Sequence, residues 1–95
     1  MSRREKSALV LALEDSRRAP RELLRMNGTY SYATATSHVE RVRSINSRGT
    51  ERLDGSFIEK GEAWDARVVV PPGRTVGECA VWVMYLGRVS RSRRG

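Results

Sequence analysis

The chain has 95 residues, with 18 Lys and Arg against 11 Asp and Glu and a formal net charge of +7. This length suffices for one domain with one modest core, and the charge favours a polyanionic partner such as a nucleic acid. The single cysteine, Cys79, excludes an internal disulfide framework and a cysteine-based zinc site. No stretch approaches the ~18 apolar residues of a membrane span, so we expect a cytoplasmic protein. The sequence has no phosphate-binding glycine loop, zinc-ligand set or pair of catalytic carboxylates, so we expect neither a cofactor nor a metal.

Positive charge is concentrated towards the two ends of the chain. Residues 1–52 hold eleven basic and six acidic side chains, a balance of +5, and residues 88–95 add four arginines. Residues 53–87 hold three basic and five acidic side chains. We therefore expect a single domain over residues 1–87 and a basic, flexible tail over residues 88–95.

Two short helices are predicted first. The segment from Ser2 to Glu5 fits a capping box, and the apolar stripe after it predicts a first helix that ends near Asp15. Pro20 suits a first helical turn and Gly28 a position just beyond a helix, which predicts a second helix over residues 20–26. Residues 28–33 are interpreted as a turn.

A third, longer helix is predicted from Thr34, as its N-cap, to a stop at Gly49. At about 100° per residue, one sector suits the core and contains Ala35, Val39, Val42 and Asn46, flanked by His38 and Ile45. The opposite face carries Ser37, Glu40, Arg41, Ser44 and Arg48, with Thr36 and Arg43 at its edge. Hydroxyls, guanidinium groups and a carboxylate are groups that read base edges and hold phosphates.

The rest of the chain is predicted to form strands. Residues 52–53 and 56–58 flank Asp54-Gly55, a dipeptide typical of a two-residue hairpin. Residues 64–70 favour a strand that ends at the prolines after it. The final strand, residues 79–86, is apolar on both faces, so we expect a second subunit to cover one face and form a homodimer. Three aromatic residues are interpreted as core rather than as platforms for base stacking: Trp64, Trp82 and Tyr85.

The order helix, short helix, turn, capped helix and hairpin resembles a winged helix-turn-helix domain of small phage and bacterial regulators. The segment Ala35-Thr36-Ser37-His38-Val39-Glu40-Arg41-Val42 is similar to the loose recognition-helix pattern of that family. The resemblance implies an α+β fold in which three N-terminal helices are followed by a small antiparallel sheet. It also implies sequence-specific binding of double-stranded DNA by a small transcriptional regulator, with the helix over residues 34–48 in the major groove.

On this interpretation two groups of residues contact DNA. The groove-facing group is Thr36, Ser37, Glu40, Arg41, Arg43, Ser44 and Arg48. The phosphate-contacting group is Arg17, Arg18, Arg21, Arg25, Arg91, Arg93 and Arg94. Phosphate contacts of this kind set the orientation of the protein on the duplex without reading its sequence.

Two other functions stay open from the sequence. A phage-type protein-binding module that inhibits or redirects an acidic host protein would also be small and basic. A small toxin-like ribonuclease can use scattered Arg, Tyr, Glu and His residues. The single histidine, His38, has neither a second histidine nor a nucleophile at a recognisable catalytic spacing, so we expect no enzymatic activity.

Overall fold

Two helices pack on one face of a three-stranded antiparallel sheet. The computed structural model describes residues 7–48, 51–53, 56–58 and 61–88, and for residues 47, 48, 51–53 and 56–58 it describes the backbone. The elements in chain order are α1 (Ala8–Arg17), β1 (Leu24–Arg25), α2 (Tyr32–Arg48), β2 (Glu51–Leu53), β3 (Ser56–Ile58), β4 (Glu62–Val69) and β5 (Ala80–Arg88).

The sheet has the order β1-β5-β4, so β5 is its central strand. α1 packs on β5 and β1, and α2 packs on β4 and β5. The face towards the helices, the inner face, carries Trp64 from β4 together with Val81 and Val83 from β5, all of them buried. Because side chains alternate along a strand, the residues between these form an outer face that neither helix covers.

The predicted arrangement of three N-terminal helices is wrong, because the described residues contain two helices and β1 lies between them. Residues 20–26, predicted as a helix, form a turn and β1 instead. The N–H of Met26 donates to the carbonyl oxygen of Val81 at 2.8 Å, and the Met26 side chain is 1% exposed. A seven-residue helix is marginal in water, whereas a strand here pairs one edge of the buried β5. The coarser α+β class agrees with the structure.

Both helices begin at residues other than those predicted. α1 is capped by Ser7, whose hydroxyl accepts from the N–H of Val10 at 3.2 Å, and residues 1–6 lie outside the described part. The N–H of Thr34 donates to the hydroxyl of Ser31 at 3.2 Å, so Ser31 takes the capping role predicted for Thr34. The N-cap therefore lies three residues earlier than predicted and α2 starts at Tyr32, while Gly49 lies outside the described residues.

The predicted core sector of α2 is confirmed except at its C-terminal end. Ala35, Val39, Val42 and Ile45 are buried, as the helical period predicts. Asn46 is exposed, and its side chain binds the edge of β4 instead. Its amide nitrogen donates to the carbonyl oxygen of Trp64 at 2.8 Å, and its amide oxygen accepts from the N–H of the same residue at 3.0 Å.

The predicted strands are present, with small differences at their ends. β2 and β3 form an antiparallel pair in which Arg52 lies opposite Phe57, and Asp54-Gly55 between them lies outside the described residues. Trp64 is 2% exposed, as expected of core. Trp82 was predicted to be core as well, but it is half-buried on the outer face because it alternates with Val81 and Val83.

A buried polar cluster joins the end of α1 to the sheet. Glu62, at the start of β4, accepts from Arg17 Nε at 3.0 Å, from Arg17 Nη2 at 2.8 Å and from the Tyr85 hydroxyl at 2.8 Å. The indole N–H of Trp64 donates to the hydroxyl of Ser16 at 2.9 Å. The Arg17 guanidinium lies 5.5 Å from the centroid of the Trp64 ring. These contacts fix α1 on the sheet with its C-terminal end at the start of β4.

Candidate nucleic-acid interface

The outer side of α2 presents the polar residues that the sequence assigned to DNA. Packing of the apolar side of α2 on β4 and β5 turns the opposite side away from the sheet. Ser37, Arg41 and Ser44 are exposed there, whereas Glu40 and Arg43, also exposed, and the half-buried Thr36 lie on the border of this side that faces β4. For Arg48 the backbone is helical, but the side chain lies outside the described part.

Two hydroxyls near the start of α2 are held by the helix itself. Thr36 and Ser37 both donate to the carbonyl oxygen of Ala33, at 2.9 Å and 3.1 Å respectively. A hydroxyl that donates to the backbone keeps acceptor lone pairs for an incoming amino group. In this conformation, therefore, these side chains are suited to accept a hydrogen bond from a base rather than to donate one.

The charged groups on this side of α2 are two arginines and one glutamate. Ser37, Arg41 and Ser44 follow one another at spacings of four and three residues, so they form one stripe along the helix. Arg43 and Glu40 lie beside this stripe and are exposed. A guanidinium within such a stripe matches the paired acceptors of guanine, and a carboxylate matches the amino group of cytosine.

His38 lies at the border between this surface and the core. Its ring meets the ring of Tyr30 edge to face, with centroids 5.0 Å apart. Partial burial lowers the pKa of His38 below its ordinary value of 6.5, and the charge of Arg41 lowers it further. The imidazole is therefore neutral at pH 7 and adds no charge to the surface of α2.

The arginines predicted to contact phosphates are dispersed over the structure. Arg17 binds Glu62, and Arg18 pairs with Asp15 at 3.4 Å with 80% of its side chain exposed. Arg21 is exposed in the turn before β1, and Arg25 alternates with inward-facing residues and so lies on the outer face of the sheet. Arg25 and the outer side of α2 thus face opposite ways. The remaining three lie outside the described residues: Arg91, Arg93 and Arg94.

A second polar and aromatic surface was missed from the sequence. On the outer face of the sheet, Trp82 of β5 lies opposite Arg25 of β1 on one side and opposite Arg67 of β4 on the other. The sequence of β5 did indicate that Trp82 points to the opposite face of the sheet from Val81 and Val83, because it lies between them. Cross-strand register cannot be read from one strand, however, so the sequence did not show which residues flank the indole.

A cavity of about 310 Å³ lies between α2 and β4. Its α2 wall includes Tyr32, Glu40 and Arg43, and its β4 wall is formed by residues 66–68. Within the described ranges, no group of three or more His, Cys, Asp or Glu residues could hold a metal ion. No helix in the part of the chain that the structure describes is long and apolar enough to cross a membrane.

No protein-family model matches the chain, and no curated protein or solved structure is significantly similar to it.

Proposed function

We propose that the protein binds double-stranded DNA sequence-specifically, as a small transcriptional regulator that inserts α2 into the major groove. The observation that carries this proposal is the two-sided character of α2. One side is buried on the sheet, and the other exposes hydroxyls, a carboxylate and two arginines along a helix of 17 residues. Such a helix is about 25 Å long, and the major groove, about 12 Å wide, admits it.

The proposed roles follow from the positions of the side chains. Arg41, at the middle of the exposed stripe, pairs with the two acceptors of a guanine, and Ser37 accepts from an exposed amino group. Glu40 accepts from the amino group of a cytosine. Arg43, beside the stripe, contacts phosphate, so it contributes affinity without sequence preference.

Titration of the purified chain with random and genomic duplexes at two salt concentrations tests this proposal. We expect Arg41→Ala to weaken binding to the preferred duplex by roughly 5- to 100-fold and binding to random duplexes far less. The matched control is Arg18→Ala, which removes the same charge from a side chain that is 80% exposed at the end of α1. Equal losses for the two variants on both kinds of duplex would contradict groove reading by α2.

A specific observation favours one alternative, a protein-binding module. Asn46 binds the backbone of Trp64 on the edge of β4 away from β5, and alternation places the backbone groups of Ala66 and Val68 on that same edge. In this alternative an extended peptide adds to β4 at this edge, beside the cavity that residues 66–68 line. Capture of one stoichiometric protein, lost in Val68→Pro and not accompanied by any shift of DNA, would favour this alternative.

The homodimer expected through residues 79–86 stays a prediction. Both edges of β5 are paired, with β1 on one side and β4 on the other. A dimer through this strand would therefore have to stack the outer faces of two sheets rather than join two strand edges.

A further inference from the structure

We propose that the outer face of the sheet binds single-stranded nucleic acid, with a base stacked on Trp82 and the backbone phosphates held by Arg25 and Arg67. This site lies on the opposite side of the sheet from α2. It takes a different ligand from the duplex of the proposed function, and it does not depend on that function.

The strand register brings these three side chains into one row. Trp82 is the direct partner of Arg25 in the β1–β5 pair and of Arg67 in the β5–β4 pair. Neighbouring strands lie about 4.8 Å apart, so the two arginine backbones flank the Trp82 backbone at that distance on each side. Residues directly opposite each other point to the same face of a sheet, so the Trp82 side chain and both arginine side chains project from the outer face.

This face is accessible, because both helices lie on the inner side. Arg25 and Arg67 are exposed, and Trp82 is half-buried. Met84, two residues further along β5, is half-buried on the same face and extends the apolar surface by about 7 Å. An indole on an open sheet surface is suited to stack on a base, since every base has an apolar π-face.

The charges on the outer face favour a polyanion over a second copy of the chain. Asp65 lies on the same face and pairs with Arg67 at 3.2 Å, which leaves Arg25 to contribute more of the attraction for phosphate. Two stacked copies of this face would bury four arginines of the row against two aspartates. Buried charge without a partner is costly, whereas phosphates would neutralise the excess.

A single strand fits this face better than a duplex does. In a duplex the bases are stacked on one another, so their faces cannot reach a side chain. A single strand can turn a base onto the indole while its backbone passes an arginine on each side. The outer face is a sheet surface about 10 Å wide from β1 to β4, and it does not project from the protein as a helix that enters the major groove does.

The test is a titration of the full chain with a 12-residue oligo-dT, followed by tryptophan fluorescence. The core residue Trp64 is buried, so we expect quenching to arise from Trp82. Trp82→Leu is expected to weaken binding by roughly tenfold or more, and Trp82→Phe, which keeps an aromatic ring, by only about threefold. Binding of these variants is measured by anisotropy of a labelled oligo-dT, because both lack the indole.

Surface variants keep the proposal falsifiable if Trp82→Leu does not fold. Arg25→Gln combined with Arg67→Gln should reduce the slope of log affinity against log salt by about 1.4, for two lost phosphate contacts. Arg74→Gln, which removes a charge from a side chain that is 59% exposed and pairs with Glu78, should leave that slope unchanged. Equal slopes for wild type and the double variant would overturn the proposal.

Two further outcomes separate this proposal from the others. If sedimentation shows a dimer that Trp82→Leu or the double arginine variant dissociates, the outer face is a subunit interface and the proposal is wrong. If Arg41→Ala weakens binding to the preferred duplex but leaves oligo-dT binding unchanged, the two sites are independent, as we expect. Absence of duplex binding together with Trp82-dependent binding of oligo-dT would remove the proposed function alone.

Discussion

Glu62, the first residue of β4, binds the C-terminal end of α1 through its carboxylate. Its replacement by Gln tests how much this contact contributes to the stability of the fold. The side chain is 7% exposed and accepts hydrogen bonds of 2.8–3.0 Å from Nε and Nη2 of Arg17 and from the hydroxyl of Tyr85. Glu62→Gln keeps the shape of the side chain but removes its charge. It also replaces one acceptor oxygen with an amide nitrogen, which is a donor that faces other donors.

The expected loss follows from the burial of the two partners. Removing one partner of a buried ion pair costs about 3–5 kcal/mol, because the other charge stays buried without compensation. Arg17 keeps 28% of its side chain exposed, and water can therefore replace part of the lost interaction. We thus expect Glu62→Gln to lower the free energy of unfolding by about 2–3 kcal/mol. For a domain of this size, that loss corresponds to a decrease in Tm of roughly 10–20 °C.

Urea denaturation followed by far-ultraviolet circular dichroism measures this loss, with Asp65→Asn as the matched control. Asp65 also pairs with an arginine, Arg67, but the two side chains are 43% and 56% exposed. An exposed pair of this kind contributes at most about 0.5–1 kcal/mol, so the control should unfold nearly as the wild type does. A loss below about 0.5 kcal/mol for Glu62→Gln, or equal losses for the two variants, would refute the reasoning.

Three further changes have expected outcomes. Asn46→Ala removes both side-chain hydrogen bonds to the backbone of Trp64 and should cost about 1–2 kcal/mol, measured by the same urea titration; an unchanged midpoint would contradict this role. Burial, and then the hydrogen bond to Glu62, raise the pKa of Tyr85 above its ordinary value of 10.0, so its stabilising contribution is present below pH 10 and is lost as the pH rises through the raised pKa. Tyr85→Phe should therefore lose less stability than the wild type between pH 9 and 11. Burial, and then a neighbouring arginine, lower the pKa of His38 from 6.5, so its contribution is present above pH 6.5 and is lost as the pH falls through the lowered pKa. His38→Gln should show a smaller decrease in urea midpoint than the wild type between pH 7.5 and 5.5, and equal decreases would argue against a lowered pKa.

The sequence by itself determined those helices and strands whose apolar residues recur at a regular helical or strand spacing. The buried side of α2, with Ala35, Val39 and Val42, follows from the helical period, and so does its polar outer side. The β-branched run in β4 and the apolar run in β5 likewise predict strands without knowledge of their neighbours. These elements are predictable because propensity and apolar period act over a few residues and agree with the final packing.

The tertiary structure decided where backbone groups and side chains find their partners. Residues 20–26 have a sequence typical of a helix, yet residues 24 and 25 pair with the edge of β5 as a strand, and Met26 is buried. Asn46 falls in the core sector of α2, but the edge of β4 supplies two backbone partners for its amide. The row of Trp82 between Arg25 and Arg67 depends on the register of three strands that are distant in sequence. Pairing of this kind is fixed by contacts across the chain, and for that reason no local pattern contains it.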